Sequence, residues 1–235
     1  MPPDTHRASG TAPELPRLEP GITLLELPGR TLSPLHSLVL DHLLLDGGTA
    51  LWIDARNHGP SQLLAKLAPS PRILDRVRIA RGFTAFQHAA LVAHASAHLD
   101  ADTSLVVAPA LDSQYRDDVR GVESRALLLR TVARLAGYAR EADLPVLVTR
   151  TGDDRLGRPI AASADEVLEV EETRFGPRFS GSDFETLVYS GPGGRHVQTT
   201  LAYWQRILEA RAPLYEHSPA APTTSTPEVT QRGSY

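Results

Sequence analysis

Ser104-Leu105-Val106-Val107-Ala108 is an apolar run of strand length, entered from Asp102-Thr103 and stopped by Pro109. A strand wetted on one face alternates polar and apolar side chains, so an unbroken run predicts a strand covered on both faces, in the interior of a mainly parallel sheet. Working outward, residues 22–27, 49–54 and 77–80 read as strands upstream, and 144–149 reads as a fifth parallel strand downstream. Helical spacing of apolar residues fills the gaps at 35–45, where Gly47-Gly48 stops it, and at 61–67, 83–99 and 123–141. Strands alternating with helices predict an α/β fold, a mainly parallel sheet flanked by helices. Beyond Thr149 the apolar period shortens to two at 166–171, 184–189 and 196–201, which predicts antiparallel strands added at the C-terminal edge.

The chain has 235 residues, enough for one core of residues 21–214 between two tails. Residues 1–20 and 215–235 are rich in Pro, Ser and Thr without periodicity, and both are expected to be flexible. Cysteine is absent, which excludes disulfide scaffolds, thiolate catalysis and cysteine-held metals. No apolar run approaches the ~20 residues that span a bilayer, and the N-terminus lacks the apolar stretch of a secretory signal. The expectation is a cytoplasmic protein with no membrane contact. A net charge of -4 argues against a surface basic throughout, as a nucleic-acid coat would need, and leaves room for a local basic strip. Lys66 is the only lysine, so the positive charge is almost all arginine, suited to planar contacts with phosphate or carboxylate.

In such a fold the turn after the first strand is the place for a phosphate loop, G-x-x-x-x-G-K-[ST], whose N–H groups and lysine hold a triphosphate. Here the stretch reads Gly29-Arg30-Thr31-Leu32-Ser33-Pro34-Leu35-His36. Pro34 stands for the second glycine, Leu35 for the lysine and His36 for the metal-binding hydroxyl. Proline removes a donor and leucine removes the charge. No nucleotide cofactor and no metal are expected.

The order of motifs resembles the recombinase core of the RecA/RadA family, most closely its archaeal RadA and RadB type. Leu51-Trp52-Ile53-Asp54 is similar to that family's WID(T)E strand, with Arg56 at the catalytic glutamate position. Ile79-Ala80-Arg81-Gly82-Phe83 is similar to its VARAF segment. Leu105 to Arg116 resembles its Walker B strand and the SxxxxFR that follows, with Pro109 in place of the metal-orienting aspartate. Val148-Thr149-Arg150 resembles the start of VTNQ, and Arg158-Pro159-Ile160 the start of RPIGGH, continued here by Ala161-Ala162-Ser163. The resemblance spans roughly Gly21 to Tyr203. It implies a RecA-like core that has lost its phosphate lysine, catalytic carboxylate and Walker B aspartate, three groups that work together. The implied protein is a non-catalytic paralogue, a pseudo-ATPase that assists DNA recombination or repair by binding the recombinase or another repair protein, single- or double-stranded DNA, or both, alone or as a homo- or hetero-oligomer. The competing expectation is a regulatory or scaffold protein that never touches DNA. A residual nucleotide enzyme would need Arg30 or Lys66 to replace the missing lysine.

Arg116, Arg120, Arg125, Arg150, Arg155 and Arg158 fall in or beside the two loops that contact DNA in this family, and are the DNA-binding candidates. Asp117, Asp118, Asp153 and Asp154 are interleaved with them and offset their field. Phe86-Gln87-His88-Ala89 fits an F-x-x-A pattern, but its place on an amphipathic helix assigns Phe86 to the core. His94 and His98 are four apart and lack a third ligand, which points to ordinary helix histidines. The acidic residues 165–172 are expected on an edge strand, guarding it against pairing or receiving an arginine-rich partner.

Overall fold

Six strands line up in parallel: β1 (Gly21–Glu26), β2 (Thr49–Ala55), β3 (Val77–Gly82), β4 (Thr103–Ala108), β5 (Pro145–Val148) and β6 (Glu166–Thr173), of which β1, β2, β4 and β5 are buried along most of their length, as strands covered on both faces require. β7 (Gly176–Ser180) and β8 (Glu185–Leu187) follow antiparallel, completing a sheet ordered β3-β2-β4-β5-β1-β6-β7-β8. The computed structural model describes residues 13–29, 31–55, 61–118, 121–173, 176–182, 185–187 and 200–217. Its architecture is the expected α/β one, consistent with a RecA-like core. β4 lies in the interior between β2 and β5, as its unbroken apolar run requires.

The sheet separates two layers of core. On one face Leu25, Trp52, Val107, Leu147 and Leu168 meet α1 (Ser33–Asp46), α2 (Ser61–Leu67) and α7 (Thr200–Ala210). On the other, Leu24, Ile53, Val106 and Val148 meet α3 (Ala85–His94) and α5 (Gly121–Glu141). The short helices α4 (Ser113–Asp117), α6 (Gly157–Ala162) and α8 (Ala212–Glu216) complete the set of α-helices among the described residues. Two 3₁₀ turns, Pro71–Arg76 and Ala95–His98, join them; the second takes over the C-terminal part of the helix expected at 83–99.

Every residue of α1 from Ser33 to Leu43 is buried, because the helix lies on the sheet and is roofed by α2, α7 and α8. It ends at Gly47 and Gly48, both at positive φ; a Cβ on Gly48 would come within 2.5 Å of the Asp102 carbonyl oxygen, so no other residue fits there. Burial leaves Asp41 without water, and its carboxylate is met from the C-terminal helices. Arg211 donates through Nε at 2.7 Å and Nη2 at 2.9 Å, and the Tyr215 hydroxyl donates at 2.6 Å. Arg211 also donates to the Pro13 carbonyl.

Several expectations are corrected here. β6 is parallel to β1 and covered on its other side by β7, so the acidic strip lies on an interior strand and not at an edge. The strand expected at 196–201 gives way to a helix, since α7 begins at Thr200; residues 188–199 lie outside the described set. Residues 13–20 form no regular element, yet Leu15 and Leu18 are buried in the core, so this part of the expected flexible arm is packed. The C-terminal tail expected from residue 215 begins inside α8, and residues 218–235 and 1–12 lie outside the described set.

Removing one partner of the buried pair strands a charge. Arg211→Met is therefore expected to lower stability by about 3–5 kcal/mol, and Asp41→Leu combined with Arg211→Met to recover part of that loss. Urea denaturation of both variants is the check; a double variant no more stable than the single would show that the stranded charge is not the cause.

Candidate functional site

In open parallel sheets ligands bind beyond the carboxyl ends of the strands, and the described residues of the turn after β1 and of the two arginine-bearing segments belong to the loops or helices there. At the end of β1 the chain turns through Gly29, at φ +67°, into α1. A phosphate site needs the helix N–H groups facing solvent. Instead Pro34 contributes no N–H, the His36 N–H bonds the Leu32 carbonyl at 3.1 Å, and Leu35 and His36 are 0% exposed. The His36 ring donates from Nδ1 to the same carbonyl at 2.6 Å and stacks on Trp52 of β2, with centroids 5.2 Å apart. The first turn of α1 is thus packed with protein where a nucleotide would require water-filled space. Arg30 and Arg56 lie outside the described residues, and Lys66 projects from the exposed side of α2.

At the end of β2, Asp54 is wholly buried and receives Arg81 Nε of the neighbouring β3 at 2.8 Å, the two residues standing in register. Beside them His88 of α3 is 0% exposed; its Nδ1 and the Tyr115 hydroxyl are 2.9 Å apart, and that hydroxyl lies 2.9 Å from Thr131 Oγ1. Burial pushes the His88 pKa down to about 4, only partly opposed by the charge of Asp54. Burial likewise pushes the Tyr115 hydroxyl up, keeping it neutral.

After β4, Pro109 leads into Ala110, held at φ +47° with its N–H on Thr149 Oγ1 at 2.7 Å. Asp112, 0% exposed, accepts from the Thr151 N–H at 2.8 Å, the Thr151 hydroxyl at 3.0 Å and Arg116 Nε at 2.8 Å. Arg116 turns its other side to Asp154, whose Oδ1 lies 2.7 Å from Nη2. That guanidinium, with the Leu156 and Gly157 N–H groups, holds the Asp154 carboxyl well below the usual carboxylate range. Gly157 lies so close to the loop that a Cβ would fall 1.7 Å from the Gly152 carbonyl oxygen. Arg150 is clamped in the same manner, with Nε on Glu26 at 2.7 Å and Nη1 on Asp153 at 2.7 Å. Burial pulls the Arg150 pKa down, but Glu26 and Asp153 more than offset it and leave it raised.

The two arginine-bearing loops do meet, yet they do not present six phosphate contacts. Arg116 and Arg150 are each committed to two carboxylates, and Arg120 lies outside the described residues. Arg125, Arg155 and Arg158 are exposed, and Arg155 reaches the Gly121 carbonyl at 3.3 Å. Phe86, assigned to the core by its spacing, is 56% exposed. A cap explains it: Thr84 accepts from the Gln87 N–H while Gln87 accepts from the Phe83 N–H, which starts the helix at Ala85 and turns Ala85 and His88 inward. His94 and His98 are exposed, and among the described residues no group of three His, Asp or Glu side chains is placed to hold a metal ion. Local patterning carried no signal for Asp54–Arg81 or for Asp112–Thr151, because the partners come from different crossovers.

No protein-family model matches this chain, and no curated protein matches it.

His88 sets a pH dependence. In the unfolded chain an imidazole takes up a proton below about pH 6.5, whereas the folded one resists until about 4. The unfolded state then binds more protons, so stability falls as pH drops through this window, by about 3 kcal/mol in all. His42, also depressed by burial, adds to the same trend. His88→Gln is expected to flatten the fall between pH 7 and pH 4 in urea titrations; an unchanged slope would show that another group is responsible.

Proposed function

We propose that this chain is a non-catalytic RecA/RadA-like paralogue, a pseudo-ATPase that assists recombination or repair in the cytoplasm by binding the active recombinase. One observation carries the loss of catalysis: the α1 N-terminus is buried under Pro34, Leu35 and the His36–Trp52 stack. A triphosphate there would have to displace packed apolar groups and would meet neither a lysine nor solvent-facing N–H groups from Pro34 and His36. The recombination setting rests on the ordered motif resemblance between Gly21 and Tyr203 and on the α/β fold with which that resemblance agrees.

Protein contact is favoured over DNA contact by the neutralisation of Arg116 and Arg150, since a guanidinium held by two carboxylates has little field left for a phosphate. Direct DNA contact would fall to Arg125, Arg155 and Arg158. The second reading, a scaffold that binds another protein and never DNA, draws on the same neutralisation.

Titration calorimetry with ATP and Mg²⁺ is expected to give no heat of binding, and micromolar affinity would overturn the pseudo-ATPase reading. The purified recombinase of the same host is expected to bind this chain on a sensor surface in nuclease-treated samples. Absence of that complex, together with no oligonucleotide binding even at low salt, would leave the scaffold reading.

A further inference from the structure

Arginine also gathers away from the two neutralised loops, on the outer face of α5. Leu128, Val132, Leu135 and Ala139 turn this helix toward the core, and the Tyr138 hydroxyl fastens it to α3 by donating to the Val92 carbonyl at 2.6 Å. The side left to solvent carries Arg130, Arg134 and Arg140, all exposed, and among the described residues no carboxylate pairs with them. Residues 124–140 contain no Asp or Glu, and neither do residues 85–99, which form α3 and the 3₁₀ turn beside it. The whole chain carries a net charge of -4, so this positive face is a local feature and not a product of general basicity.

Arg130 and Arg134 stand one turn apart, where like charges repel and weaken a helix. An anion laid along the face would relieve that repulsion. Glu141 offsets part of the field, its Oε1 lying 3.8 Å from where a Cβ on Gly137 would stand. Between Arg130 and Arg140 the exposed residues are Ala133 and Arg134, so the stretch lacks the large apolar anchor that a protein interface is built around. A duplex needs no such anchor. It presents a phosphate about every 1.7 Å of its axis, so the ~15 Å of helix from Arg130 to Arg140 finds acceptors in any register, whereas a protein would have to place its carboxylates to match. We propose that the outer face of α5 is a contact surface for duplex DNA, on which Arg130, Arg134 and Arg140 meet backbone phosphates without reading base sequence. The inference goes beyond the recombinase reading and does not need it, because purified chain and an arbitrary duplex test it.

Fluorescence anisotropy of a labelled duplex of arbitrary sequence, titrated with the full chain between about 50 and 200 mM salt, is expected to show binding. Its log K is expected to fall against log salt with a slope of about -2.7, about -0.9 for each of three phosphates. Arg130→Gln with Arg134→Gln and Arg140→Gln is expected to weaken binding at least about tenfold and to flatten the slope. The melting temperature is expected to be retained, since the three side chains are exposed and glutamine forms helix about as well as arginine. Glu141→Gln removes the offsetting charge and is expected to tighten binding, a gain that damage to the fold would not produce. Arg155→Gln with Arg158→Gln, at the loops, is expected to leave the affinity within about twofold. No binding at the lowest salt, binding indifferent to the α5 changes, or binding lost with the loop arginines instead would each overturn the proposal. Polyglutamate that displaces the labelled duplex as well as unlabelled duplex does, at equal charge, would also overturn it and assign the face to an acidic protein.

Discussion

The burial of α1 is the constraint on which the other elements depend. A helix covered from Ser33 to Leu43 must lie on the sheet and be roofed on its other sides, and it carries an aspartate that cannot remain charged in an apolar layer by itself. Arg211 and Tyr215 answer that aspartate, and in doing so they fix where α7 and α8 lie. The same guanidinium takes the Pro13 carbonyl, so one side chain ties both ends of the described chain to its most buried helix. Against an apolar alternative such a pair adds little net stability, but it accepts only one docking geometry, and geometry is what a C-terminal addition to a sheet has to secure.

The carboxyl rim follows a related rule. A parallel sheet directs its loops to one end, and that end gathers the polar residues the core excludes. In this chain they satisfy one another. Asp54 takes Arg81, Asp112 and Asp154 share Arg116, and Glu26 and Asp153 share Arg150. Each pairing braces a junction: β2 to β3, the turn after β4 to the loop after β5, and the end of β1 to that same loop. The residues that brace the rim are consequently poor candidates for holding a charged ligand.

What was legible in the sequence was what repeats locally. The unbroken apolar run at 104–108 placed β4 in the interior, and the Gly47-Gly48 pair stopped α1. What was not legible depends on distant partners. Asp41 and Arg211 are 170 residues apart, and nothing in either neighbourhood announces the other. Phe86 shows a different limit. Its spacing fits a core position, but the cap made by Thr84 and Gln87 sets the phase of the helix, and phase decides which side chains face in. The acidic strip at 165–172 misled for a third reason: charge is a guard for an edge only when no further strand is added, and β7 covers β6.

The first turn of α1 is packed so that it needs no anion to hold it. A phosphate loop is costly while empty, since its N–H groups must face water and its glycines add chain entropy. Pro34 fixes φ at the start of the helix and needs no acceptor. Leu35 extends the apolar layer, and His36 satisfies the Leu32 carbonyl while covering Trp52. Each of these residues stabilises the turn without any bound ligand. A lysine at position 35 would put an ammonium into a site that is 0% exposed, where nothing could meet it until the surrounding packing had also been opened.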